Sequence, residues 1–155
     1  MIKNLVLAGA QLKGVAYIGA LKAMEELNII DNIENILGVS SGSLFGLGIS
    51  LGFKSCDLEH MVLQLEIENL KDFQSDSVFN LFYTFGLDSG DKITKLTKVI
   101  LRKKTGNEDI TFKELYEKFP KNKLIILGSN LTKNCVEYFS VDHTPDMPVY
   151  LAIRI

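Results

Sequence analysis

Ser40 stands between two glycines, Gly38 and Gly42, in the stretch LGVSSGSLFG, and so spells G-x-S-x-G. A serine hydroxyl is a weak nucleophile. It needs a base to take its proton and donors to receive the charge that builds on the attacked carbonyl oxygen. This spacing serves that chemistry when the serine occupies a sharp strand-to-helix turn. The glycines remove side chains that would clash, and the following helix points its free N–H groups at the site. A plain turn in which Ser40 or Ser41 caps a helix is the alternative. Apolar residues before the motif (Ile36, Leu37, Val39) and after it (Leu44, Phe45, Leu47, Ile49, Leu51) favour the elbow.

A second loop could assist. Gly9, Ala10, Gln11, Leu12, Lys13 and Gly14 follow the first apolar run and open a helical pattern, so they belong on the same sheet edge as Ser40. A dinucleotide fingerprint requires glycine where Gln11 stands, and a Walker loop requires Lys and then Ser or Thr after the final glycine, where Val15 and Ala16 stand. What remains is a backbone loop suited to an oxyanion hole.

The base is harder to find. The chain has only two histidines. His60, beside Met61, reads as a partly buried core residue. His143 follows Asp142 and precedes Asp146, and a Ser40–His143–Asp triad is the standard alternative. An α/β-hydrolase elbow normally follows several strands, however, and here one precedes it. Asp88, in GLDSGD, reads as a turn and cap residue. Cys56 and Cys135 lack zinc or redox spacing and read as buried reduced thiols of a cytosolic chain. No metal and no cofactor is expected.

The elements that must hold these groups show in the periodicity. With 155 residues, 46% hydrophobic and 23% charged, the chain is one domain with a real core. Its net charge of -2 speaks against a nucleic-acid partner. No run approaches the roughly 20 apolar residues of a membrane span, and the N-terminal run is too short for a signal peptide. The chain therefore reads as cytoplasmic, with peripheral contact at a membrane surface left open. Ile2 to Ala8 and Ile33 to Val39 read as strands; Val15 to Leu27, ended by Asn28, and Ser41 to Leu51, ended by Gly52, read as helices. Ser55 to Leu70, with Ser55 as cap, Gly90 to Lys104, and Thr111 to Lys118 are further helices, the last opened by a Thr111–Glu114 capping box. Phe79 to Phe85 is ambiguous, and the lysine-rich face of the Gly90 helix reads as solvated. Lys123 to Leu127 and Cys135 to Val141 close the pattern as strands. This order implies an α/β domain with helices on a mostly parallel sheet.

These motifs together resemble the patatin-like phospholipases. Members of that family carry a glycine-rich loop, G-G-G-x-[RK]-G, after the first strand, and then a helix, a strand and a G-x-S-x-G elbow. Gly9, Lys13 and Gly14 fit the first pattern; Gly38, Ser40 and Gly42 fit the second. ITFKELYEKF, LIILGSNLT and YFSVDHTPDMPVYLAIRI are similar to later family segments, so the resemblance spans essentially the whole chain. It implies a three-layer patatin-like fold whose mostly parallel sheet is flanked by helices. It also implies a lipid acyl hydrolase, phospholipase A or esterase in type, in which Ser40 is the nucleophile and the amides near Ala10, Gln11 and Leu12 form the oxyanion hole.

The family's base is not histidine but the aspartate of an Asp-Gly motif, and two departures follow. Ala10 and Gln11 replace glycines, costing on the order of 1 kcal/mol or more wherever positive φ is required. No Asp-Gly dipeptide occurs, and the chain ends at Ala152-Ile153-Arg154-Ile155, inside a segment like the family's "AIR-x-S". The sequence therefore reads as a patatin-like domain cut before its base, with weak or no turnover alone. The implied partner is a lipid or ester substrate, and self-association through exposed core surface is plausible. A patatin-like module that binds lipid or a partner without turnover is the alternative.

Overall fold

The structure, a computed structural model, describes residues 2–64 and 90–155. Four strands form one sheet in the order β1 (Asn4–Leu7), β2 (Asn35–Gly38), β3 (Lys123–Asn130) and β4 (Cys135–Ser140). The first three are parallel and β4 is antiparallel to β3. Ordinary βαβ logic accounts for this. A helix-length connection returns the chain to the same end of the sheet, whereas the short β3–β4 connection can only reverse it. Around the sheet lie α1 (Ala16–Glu26), α2 (Ser41–Ser50), α3 (Ser55–Gln64), α4 (Asp91–Thr105), α5 (Phe112–Lys118) and α6 (Val149–Arg154). The fold is α/β, a mixed sheet flanked by helices.

Register divides the sheet into two faces. Leu7, Ile36, Leu124, Ile126 and Phe139 share one face and are all buried. Small residues let α2 lie close on that face: a Cβ at Gly46 would stand 3.1 Å from Ile36 Cγ2. Burying each such aliphatic side chain contributes about 1.5–3 kcal/mol, enough to fix the pairing register, since a one-residue slip would expose the whole set. On the other face, Leu37 and Ile125 are half-buried and Val6 is 66% exposed among the described residues.

Helix ends follow their local chemistry. Asn28 takes φ 54 just past α1, and Gly52 takes φ 74 just past α2, both in the left-handed stop expected there. The capping box forms as read: Glu114 N–H donates to Thr111 Oγ1, and the Glu114 carboxylate accepts from the Thr111 N–H.

Other expectations are corrected. Ser55 does not cap α3; its N–H and hydroxyl both donate to the Glu25 carboxylate, tying α3 to α1. Cys56 and Cys135 are exposed rather than buried, because Cys56 lies on the outer side of α3 and Cys135 opens the edge strand β4. His60 is also exposed, paired to Gln64 one turn on. Helix α6 was not read from the sequence at all. Residues 65–70 of the expected third helix, the Phe79–Phe85 stretch and Asp88 lie outside the described residues.

Candidate active site

Ser40 links β2 to α2 at φ 54 and ψ -125, a backbone conformation open chiefly to glycine. It is exposed. Its neighbours explain how the chain tolerates the turn. A Cβ at Gly38 would lie 2.6 Å from Ser43 Cα, and one at Gly42 would lie 2.1 Å from the Leu7 carbonyl oxygen. Neither position can hold a side chain. Gly42 and Ser43 N–H groups donate to the carbonyls of Val39 and Ser40, which closes the turn. Ser41 begins the helix, where no intrahelical acceptor exists for its amide.

The Gly9–Gly14 loop lies alongside. A Cβ at Gly9 would stand 3.3 Å from Ser40 Cβ, a tight contact that glycine avoids. A Cβ at Gly14 would stand 3.0 Å from Phe45 Cε2 and 3.2 Å from Ser41 Oγ. Two hydrogen bonds tie the loop down: Tyr17 Oη donates to the Ala8 carbonyl at 2.8 Å, and the Ala10 N–H donates to Ser41 Oγ at 3.0 Å. Sequence reasoning missed this second bond, whose sole hint was a second serine beside the first.

The two replaced glycines behave differently. Ala10 has φ -136 and bears no strain. Gln11 has φ 50, so it carries the left-handed cost of about 1 kcal/mol or more. A 3-10 turn, Gln11–Val15, follows. Its first amides, those of Gln11 and Leu12, have no acceptor within the turn, while the Lys13 N–H donates to the Ala10 carbonyl. The Ala10 amide, expected among the oxyanion donors, is thus already engaged, and Gln11 and Leu12 retain theirs.

Ser40 opens on a cleft of about 920 Å³ whose walls include Leu12, Leu44, Ile93, Gly128 and Leu131. Ser43 lines it too, its buried hydroxyl without a hydrogen-bond partner among the described residues. A smaller cavity of about 150 Å³ adjoins it through Gln11, Leu12, Ser41 and Leu44 and is almost wholly apolar, lined further by Val15, Phe45, Met61 and Leu96. Among the described residues lining the cleft there is no aspartate, glutamate or histidine.

His143 does not reach Ser40. Because β4 runs antiparallel, Ser140 pairs with Ile125 and the chain beyond it continues toward the start of β3. There Asp142 meets Lys123 at 2.7 Å, level with Asn35 at the start of β2. Five residues of β2 and its turn separate that level from Ser40, roughly 15 Å at strand rise. His143 Nδ1 instead pairs with Ser140 Oγ at 2.9 Å. The hydrogen bond to Asp142 raises the pKa of the Lys123 ammonium.

A family model described as patatin-like phospholipase matches residues 5–155. The R571 protein of Acanthamoeba polyphaga mimivirus is 31% identical over 156 residues, covering 99% of this chain and 50% of that protein. A probable lipid hydrolase, 463L, of Invertebrate iridescent virus 6 is 31% identical over 155 residues, covering 99% of this chain and 52% of its own length. The chain therefore spans about half the length of the curated relatives it matches. Among solved structures, VipD from Legionella pneumophila superposes with TM-score 0.68 at 19% identity, over 98% of this chain and 41% of that one. Full-length ExoU of Pseudomonas aeruginosa, in complex with SpcU, gives 0.64 at 19% identity, over 99% of this chain and 37% of the other. At such identities these two structures speak to the fold.

Proposed function

The chain belongs to the patatin-like phospholipase family, and on that premise we propose that its 155 residues are one patatin-like unit carrying the nucleophile side of a lipid acyl hydrolase site. Ser40 is the nucleophile. The observation that carries this reading is its exposed, strained turn at φ 54 and ψ -125, pressed against the glycine loop. An ordinary helix cap has no need of that conformation.

The chemistry follows from the parts. Ser40 Oγ attacks the ester carbonyl carbon and its proton passes to a carboxylate base. The Gln11 and Leu12 amides stabilise the oxygen that takes the displaced electron pair. The tetrahedral adduct then expels the alcohol, which leaves with that proton. Water, activated by the same base, releases the acid from the acyl-enzyme. The base would be the family's Asp-Gly aspartate, contributed by residues outside these 155. The apolar cavity beside Ser41 and Leu44 suits an acyl chain. Leu12 and Leu131, exposed and lining the cleft, suit contact with a lipid surface. No helix among the described residues is long and apolar enough to cross a membrane. The 463L relative, named a probable lipid hydrolase, supports the same substrate class.

The absence of a carboxylate among the described cleft residues favours a second reading, a lipid-binding module without turnover. Labelling with an alkyl fluorophosphonate separates the two. The hydrolase reading expects covalent labelling that Ser40→Ala abolishes and Ser41→Ala retains. Labelling that survives Ser40→Ala would place the nucleophile elsewhere.

A further inference from the structure

Four non-glycine residues among those described have positive φ: Gln11, Asn28, Ser40 and Asn134. Asparagine tolerates that conformation in turns, so Asn28 and Asn134 are ordinary. Ser40 and Gln11 are not, and both line the same cleft. The elbow accounts for Ser40. Gln11 requires its own account, because its side chain is exposed and hydrogen-bonds to no described residue, so packing does not offset the strain. Strain kept in a cleft wall points toward a role in that cleft.

Counting donors supplies the role. Along the Gly9–Gly14 loop, the Ala10 amide is held by Ser41 Oγ and the Lys13 amide by the Ala10 carbonyl. The Gly9, Gln11 and Leu12 amides remain. A glutamine carboxamide adds two N–H donors on a flexible stem, rooted at a residue that lines the cleft on which Ser40 opens. Gln11 also lines the apolar cavity, at the junction where a scissile carbonyl would lie between Ser40 and an acyl chain. We infer that the Gln11 carboxamide donates to the oxyanion formed when Ser40 attacks, in place of the Ala10 amide that Ser41 withdraws. No proton is transferred in this contact: as the Ser40 Oγ–carbon bond forms, the carbonyl π pair moves onto oxygen, and the carboxamide N–H stabilises it there.

The inference rests on Ser40 as nucleophile, and one experiment tests the two separately. An alkyl fluorophosphonate reacts by forming a bond from Ser40 Oγ to phosphorus as fluoride leaves and the serine proton passes to base or solvent, and its phosphoryl oxygen occupies the oxyanion position. The labelling rate constant and the thermal midpoint are measured for wild type, Gln11→Gly, Gln11→Glu and Ser40→Ala. Gln11→Gly removes strain and donor together, so the midpoint should hold or rise while labelling slows about 10- to 100-fold. Gln11→Glu keeps the length but presents an acceptor, and should slow labelling at least as much. If Ser40→Ala abolishes labelling but both Gln11 variants stay within twofold of wild type, the carboxamide is not a donor and the inference falls while Ser40 stands. A Gln11→Gly variant that loses rate and midpoint together shows a structural role instead, and also overturns it. Labelling that persists in Ser40→Ala overturns the nucleophile assignment and this inference with it.

Discussion

Gly42 is seated so tightly on Leu7 that a Cβ built on it would stand 2.1 Å from the Leu7 carbonyl oxygen. This contact joins the end of β1 to the first turn of α2, and it sets how closely the glycine loop can approach Ser40. Backbone, unlike a flexible side chain, cannot swing aside.

Gly42→Ala is therefore expected to destabilise the protein by about 1–3 kcal/mol or more, well beyond the effect of an alanine in an open helix position. Gly19, on α1, has nothing within 4 Å of its added Cβ, and Gly19→Ala is the control. Urea unfolding of the two variants checks this. Equal midpoints would mean that α2 lifts away from Leu7 without cost.

Replacing the strained serine separates strain from chemistry. Ser40→Gly should be more stable than Ser40→Ala by about 1 kcal/mol, because relief of the strain at φ 54 outweighs the larger backbone entropy that glycine loses on folding. Both should lose fluorophosphonate labelling. Calorimetry on the pair reads the difference directly, and an alanine variant as stable as the glycine variant would deny the strain.

His143→Ala should leave Ser40 labelling and any short-chain esterase activity unchanged, since antiparallel β4 carries the imidazole to the far end of the sheet. It should cost about 1 kcal/mol of stability through the lost hydrogen bond to Ser140. A hundredfold loss of activity in a variant that is still folded by circular dichroism would restore the triad.

The capping box predicts a pH dependence. Hydrogen bonds from the Thr111 N–H and hydroxyl hold the Glu114 carboxyl below the usual glutamate range. Its folded pKa is lowered, so its contribution is present above the unfolded pKa and is lost as pH falls through the folded one. The gap in urea midpoint between wild type and Glu114→Gln should thus be widest near neutral pH and close in acid. Thr111→Ala removes the hydroxyl acceptor of the Glu114 N–H as well, and should cost about 1 kcal/mol at neutral pH. A gap that widens in acid would contradict the assignment.

Much of this molecule was legible in the chain, for a local reason. Parallel strands buried beneath helices read as continuous apolar runs, helices as a 3.6-residue stripe, and stops as Asn28 and Gly52. Each of these signals is written within a few neighbouring residues. The elbow motif was equally local: Gly38 and Gly42 flank Ser40 in sequence, and the turn that needs them lies in the same five residues. Family membership followed from the order of such segments. Errors fell where exposure depends on what lies opposite. Cys56, Cys135 and His60 carry no mark that distinguishes an outer helix face or a sheet edge from a buried one.

What came from the folded chain alone is non-local. Ala10 and Ser41 are 31 positions apart, so nothing in either segment announces that one hydroxyl will take the other's amide. Whether Ala10 or Gln11 bears the left-handed strain depended on how that loop docks against α2, and docking assigned it to Gln11. The distance between His143 and Ser40 was set by the direction of β4, a consequence of a short reversal after Asn130. Residue types name the chemistry a site can do. Pairing direction and close backbone contact determine which of those residues meet, because both depend on segments that approach one another only after the sheet has formed.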